Sequence, residues 1–236
     1  MIGSPPYADN FSRISLGDLE TSQFINLLEE NPYEKGEAYG FSIEQVEPSL
    51  ITAYLLLTRP EIQQVYDEDT QEVTKEEIQT VEMIPFRVDT KYGILEVFAN
   101  KDSVSNVTNK IGQVTSWETT IENTSFSPQQ VLSTIESRYR VELNSIKISD
   151  YPITDSAVGS FQIDIDDQNL GRDLLNKHSG DISYLGASVK TDGESVTIGI
   201  YNSGSIIVYN NIDNMATVLD VIKEGVVGGG EEVNYA

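Results

Sequence analysis

A chain of 236 residues can bury roughly 70% of its unfolded surface, and 39% hydrophobic with 22% charged residues is a globular composition. Thirty-eight acids against fifteen lysines and arginines give a net charge of -23; this repels phosphate backbones at ordinary ionic strength, because nucleic-acid affinity draws on Lys and Arg displacing counterions. The absence of cysteine excludes disulfides, thiolate catalysis and Cys-ligated metals.

The acids are interspersed with Ile, Val, Leu, Tyr and Phe in periodic segments, which points to a folded protein with an acidic surface. Such a surface suits a high-salt, halophilic cytoplasm, where screening shortens self-repulsion. It equally suits a basic partner. The opening MIGSPPYADNFSR has no basic n-region and apolar h-region, and no stretch approaches the length of a membrane span. The expectation is a cytoplasmic protein without membrane attachment.

In chain order, residues 1–13 read as a loose arm, since Pro5-Pro6 cannot continue a helix. Ser15 offers an N-cap with Asp18 three positions on, and Leu16, Leu19, Phe24, Leu27 and Leu28 approximate one helix face ending near Asn31-Pro32. YGFSIEQV and LITAYLLLT then alternate as strands, and IQQVYDEDTQEV with IQTVEMIPFRV predicts a hairpin around an acidic turn. Its acids (Glu61, Asp67, Glu68, Asp69, Glu72, Glu76, Glu77, Glu82) read as a solvated tip. Ser127-Pro128 opens a helix through Val131, Leu132 and Ile135. A strand over 141–148, the strand FQIDID, the helix DQNLGRDLLNKH, the strand DISYLGASVK, the hairpin SVTIGIY/SIIVYN and the helix IDNMATVLDVIKEGV complete the order before a Gly-rich tail. The parts are 1–36 (arm and helix), 37–124 (first β-rich half), 125–225 (second half) and 226–236 (flexible tail).

A shift of 111 residues aligns 85–112 with 196–223 without a gap, placing Gly93 on Gly204, Val97 on Val208, Phe98 on Tyr209, Asn100 on Asn211, Asp102 on Asp213 and Ile111 on Ile222. Both segments read strand, glycine turn, strand, Asn/Asp helix start, amphipathic helix. Gly93 and Gly204 supply the positive φ of a tight turn, and Asp102 and Asp213 read as helix caps. This predicts an α+β protein with duplicated strand-strand-helix units in an antiparallel sheet and helices on one side.

The order from FQIDID to IDNMATVLDVIKE resembles one half of the TATA-box-binding-protein fold, best over 161–224 and in part over 79–113. The resemblance implies two halves forming a curved sheet whose concave face grips a DNA minor groove, with helices behind. The family's lysine after the turn glycine is Ser205 here, and the 182–210 segment offers Lys190 as its only base. What the resemblance implies about fold is therefore stronger than what it implies about DNA.

Candidate binding-surface residues are Tyr92, Phe98, Tyr184, Lys190, Tyr201 and Tyr209, with core packing as the alternative for the aromatic ones. In QIDIDDQN, Asp164 and Asp166 share one strand face opposite Ile163 and Ile165, a pair able to hold Mg²⁺ or Ca²⁺ or simply to face water. The sole histidine, His178, lies near a helix C-terminus, where a cation complements the dipole. No P-loop, dinucleotide turn, nucleophile elbow or zincin motif occurs. The expectation is a non-enzymatic binding protein without a cofactor that recognises nucleic acid in high salt or a protein partner. The alternatives are an acidic adaptor or nucleic-acid mimic for a basic protein, and a metal-dependent hydrolase around Asp164 and Asp166. Edge strands would permit a homodimer.

Overall fold

A computed structural model describes residues 5–67, 71–154, 157–178, 180–191, 193–210 and 215–228. It is an α+β protein with antiparallel sheet and five helices among the described residues. Two compact units are present, one of residues 14–121 and one of residues 1–13 with 122–236.

The unit of residues 14–121 carries α1 (Thr21–Glu29), β2 (Tyr39–Val46), β3 (Leu50–Asp67), β4 (Glu72–Asp89), β5 (Ile94–Val97) and α2 (Lys101–Val114), following the end of β1 (Tyr7–Ser15). The strands pair antiparallel in the order β2-β3-β4-β5. Alternation makes one face apolar: Ile51, Ala53 and Leu55 lie opposite Val88, Phe86 and Ile84, all essentially inaccessible. On that face sit Phe24 and Leu28 of α1 and Val104, Val107 and Ile111 of α2. Each helix offers one apolar stripe, so the sheet buries both stripes on one side.

Helix α1 starts at Thr21, later than the predicted Ser15 cap. Gly17 turns the chain at φ 63°, and Glu20 and Gln23 close a capping box. Helix α2 is capped by Asn100, whose side chain accepts a hydrogen bond from the Ser103 N–H at 3.0 Å; Asp102 sits inside the first turn. The acidic hairpin is longer than a tip. Strands β3 and β4 pair from Leu50↔Asp89 to Asp67↔Glu72, whereas β2 stops opposite Leu57 and β5 meets β4 at residues 86–89. Beyond Leu57 the two strands form a ribbon that no third strand joins among the described residues. Glu68 and Asp69 lie outside the described residues.

The second unit carries residues 7–13 of β1, then the end of β6 (Thr120–Asn123), α3 (Pro128–Glu136), β7 (Arg140–Thr154), β8 (Ala157–Asp164), α4 (Gln168–Lys177), β9 (Ile182–Lys190), β10 (Ser195–Tyr201), β11 (Ser205–Val208) and α5 (Met215–Gly228). Its strand order is β1-β11-β10-β9-β7-β8, all antiparallel. The expectation of a loose arm over 1–13 is corrected here. Tyr7 and Phe11 are buried, and Tyr7 pairs with Val208 in a ladder that continues to Asn10↔Ser205. Among the described residues β8 pairs only with β7, and α4 is tied to β7 by Gln168, whose side chain accepts from the Leu143 N–H and donates to the Leu143 carbonyl. The last helix runs through Gly228, so part of the predicted tail is helical; residues 211–214, with Asn211 and Asp213, and 229–236 lie outside the described residues.

The two units share an order of elements: a helix, four strands adjacent as β2-β3-β4-β5 or β7-β9-β10-β11, and a closing helix, with β8 and α4 intervening in the second. The turns before β5 and β11 both hold a left-handed glycine, Gly93 at φ 62° and Gly204 at φ 86°. Their carbonyls accept from Ile14 and Phe11 respectively, each at 2.9 Å.

Candidate binding face

In the second unit, strand alternation sends Leu185, Ala187 and Val189 of β9, Ile198 and Ile200 of β10, and Ile206 and Val208 of β11 into the core. The intervening residues build the opposite face. Its rungs are Tyr184↔Tyr201, Gly186↔Gly199, Ser188↔Thr197 and Lys190↔Ser195, extended by Tyr201↔Ser205 and Gly199↔Ile207.

The paired glycines shape this face. A Cβ on Gly199 would lie 2.7 Å from the Tyr184 ring, and one on Gly186 would lie 2.6 Å from Ser145 Oγ and 3.0 Å from the Tyr184 hydroxyl. The Tyr184 ring therefore lies flat across a trough that any side chain would fill. Tyr201 packs beside it with ring centroids 4.6 Å apart. Burial pushes the Tyr184 hydroxyl up to about 12, reinforced by its hydrogen bond with Tyr209 and opposed by Ser145; burial, then Tyr184, raises Tyr201 as well. Both hydroxyls stay neutral at physiological pH and remain able to donate. Tyr209 is 42% exposed beside them. Asn210 steadies the end of the hairpin, accepting from the Thr197 N–H and donating to the Ser195 carbonyl, both at 2.7 Å.

The charges on this face nearly balance. Lys190 donates to Glu142 at 2.6 Å, and Arg140 approaches the same oxygen at 3.4 Å. The Lys190 hydrogen bond holds the Glu142 carboxyl below its ordinary range. Lys147, opposite Tyr184, and Asp164, opposite Ser145, complete the set.

Tyr184, Tyr201 and Tyr209 thus come together, with Lys190 three rungs away along β9. Tyr92 and Phe98 belong to the other unit. Phe98 is buried under the Arg87 guanidinium, 5.2 Å from its ring centroid, while Tyr92 lies in the β4–β5 turn with Lys91 Nζ 4.6 Å above its ring. Asp164 and Asp166 are exposed, Asp167 caps α4 by accepting from the Asn169 N–H, and no group of three or more His, Asp or Glu able to hold a metal occurs among the described residues. His178 is the C-cap of α4, its ring 5.6 Å from that of Tyr151. No helix among the described residues is long and apolar enough to cross a membrane.

Sequence reasoning missed a second surface, on the ribbon. Register puts Leu56 with Met83, Thr58 with Val81, Ile62 with Glu77 and Tyr66 with Val73 on the face opposite Leu55 and Leu57. Met83, Val81, Ile62, Tyr66 and Val73 are 58%, 45%, 70%, 58% and 62% exposed. The signal was the shared parity of Ile62 with Tyr66 and of Val73 with Val81 and Met83, hidden by Gln64, Lys75, Glu77 and Gln79 at the intervening positions of the same face. No protein-family model matches the chain, and no curated protein matches it.

Proposed function

We propose that the chain is a non-enzymatic protein-binding module whose tyrosine face receives a basic partner protein. The observation that carries this reading is the composition of that face. It is built from Tyr, Ser, Thr, Gly and Asn, the mixture by which binding surfaces combine rigid aromatic contact with adaptable hydrogen bonding. Its three bases, Arg140, Lys147 and Lys190, are matched but for one by Glu142 and Asp164, leaving little cationic surface for phosphates. The charge of -23 steers a basic partner toward the chain as a whole and slows an acidic one.

The framework for this face is proposed to be a duplicated unit similar to the TATA-box-binding-protein fold. The matching order of elements and the two left-handed glycine turns support that ancestry. In this reading the fold is kept while the DNA-gripping charge is lost.

The test is fluorescence anisotropy of labelled duplex DNA, labelled single-stranded DNA and a labelled lysine-rich peptide, each titrated with the protein from low to molar KCl. Circular dichroism in the same buffers monitors folding. The expected result is peptide binding that weakens with salt and no DNA binding in any buffer. Saturable DNA binding by folded protein at high salt would overturn the protein-partner reading in favour of a halophilic nucleic-acid binder.

A further inference from the structure

Two strands alone are marginal in water, and a ribbon with an apolar face gains stability only when that face is covered. The β3–β4 ribbon has such a face. Five of the twelve exposed large hydrophobic residues among the described residues lie on it, all on the side away from α1 and α2. The other side carries Arg59 with Thr80, Glu61 with Ile78 and Gln63 with Glu76. From Arg59 to Met83 the sequence holds eight acids against two bases, and one of those bases, Arg59, is already bound to Glu82 at 2.9 Å.

We infer that the outer face of the ribbon is a docking surface for a basic amphipathic helix of a partner protein. Size and charge select this occupant. Strands spaced about 4.8 Å apart give a face about 10 Å wide, and the eight steps from Thr58 to Tyr66 span about 27 Å. A helix about 10 Å across and about 18 residues long matches both dimensions. Its apolar stripe covers Met83, Val81, Ile62, Tyr66 and Val73. Lysines and arginines flanking the stripe reach Glu77, which shares the face with Lys75, and Glu61 and Glu76 around the ribbon edges, so the attraction comes from the acidic ribbon as a whole. A strand added to a ribbon edge would satisfy backbone groups yet leave the apolar face wet. A second copy of the chain would bring two strongly acidic ribbons together, the arrangement that charge opposes most.

This inference rests on the reading of the chain as a protein-binding module and adds a second contact, separate from the tyrosine face. The probe is a labelled Leu/Lys amphipathic helical peptide of about 18 residues, with a control of the same composition and scrambled order. It is titrated with the full chain, with Ile62→Ser/Val81→Ser/Met83→Ser, and with Glu61→Gln/Glu76→Gln/Glu77→Gln. All six side chains are outside the buried core, and circular dichroism checks that each variant is folded. The expected result is tighter binding of the amphipathic peptide than of the control and at least about tenfold weaker binding by the apolar variant. The charge variant should show a shallower loss of affinity with added KCl.

Equal affinity for the parent chain and the apolar variant would overturn the docking site while leaving the protein-binding reading intact. Absence of peptide binding at low salt would do the same, the DNA titration then deciding that reading. A concentration-dependent dimer in sedimentation, abolished by Ile62→Ser, would overturn it in favour of a second copy.

Discussion

The Tyr184 ring rests on Gly199, at a position where a single added methyl group would lie 2.7 Å from it. Gly186, directly across the β9–β10 ladder, leaves the matching space beneath the hydroxyl. A glycine pair inside a sheet sacrifices strand stability, and an aromatic ring laid over it restores buried area. Gly199→Ala must therefore displace Tyr184, with an expected cost of about 1–3 kcal/mol, the range for overpacking. Urea unfolding measures it. In a Tyr184→Ala background the same substitution should cost markedly less, the signature of direct coupling in a double-mutant cycle.

Alkaline pH provides a second test of the same side chain. Its folded-state value, about 12, lies above the ordinary 10.0, so the folded chain holds the phenolic proton more tightly than the unfolded chain does. The associated stability is complete below about pH 10 and is lost as pH rises from about 10 to about 12, because the unfolded state binds fewer protons there. The thermal midpoint should fall across that window. Tyr184→Phe should flatten the part of the fall that Tyr184 causes, and should remove one of the late-titrating phenols from an absorbance titration in which Tyr201 and Tyr54 are also raised.

The two left-handed glycines should differ in tolerance. At Gly93 a new Cβ would stand 3.2 Å from the Ile14 carbonyl, a contact that a small shift relieves, so Gly93→Ala should cost about 1–2 kcal/mol from backbone conformation. At Gly204 the Cβ would overlap the Thr124 carbonyl oxygen, which belongs to the backbone and cannot swing away. Gly204→Ala should cost roughly 2–4 kcal/mol, conformation and overpacking together. Denaturant midpoints at unchanged m-value decide the order, and equal costs would refute it.

At the start of α2 the cap and the dipole can be separated. Asn100 accepts the Ser103 N–H, so Asn100→Ala should destabilise by about 1 kcal/mol. Asp102 acts only through its charge in the first turn, and Asp102→Asn should cost about 0.3–1 kcal/mol, shrinking as KCl screens it. Salt sensitivity in Asp102→Asn without a matching sensitivity in Asn100→Ala is the expected pattern.

Local patterns made much of this fold legible. YGFSIEQV, SVTIGIY and SIIVYN alternate strictly enough to name β2, β10 and β11, and Ser127-Pro128 marks the start of α3. Strand β1 was hidden because its burial breaks alternation: Asp9, Asn10 and Ser12 are buried alongside Tyr7 and Phe11. Its partner, β11, lies almost the whole chain away. The start of α1 was misplaced because a single left-handed residue, Gly17, breaks a hydrophobic spacing that otherwise reads as helix from Leu16. For the candidate site, the tyrosines were legible as aromatic residues on strands. Their meeting depends on the register Tyr184↔Tyr201, and the trough depends on Gly186 facing Gly199, neither of which one strand encodes alone. The apolar side of the ribbon likewise exists only once Ile62 and Val81 share a face.

The pairing of Tyr7 with Val208 also sets a timetable for folding. The first strand of the chain emerges from the ribosome long before the strand it must join, and domains generally fold in order of synthesis. Residues 14–121 can complete their core while the rest is being made, since their sheet and both helices lie within that span. The other unit must wait for β11 before Tyr7 to Asn10 find the partners they hold in that ladder, and pairing so distant in sequence is slow. Until then Asp9, Asn10, Ser12 and Arg13 give that waiting strand polar groups that water can hydrate, so the composition that reads as an idle arm also suits a strand whose ladder with β11 closes last.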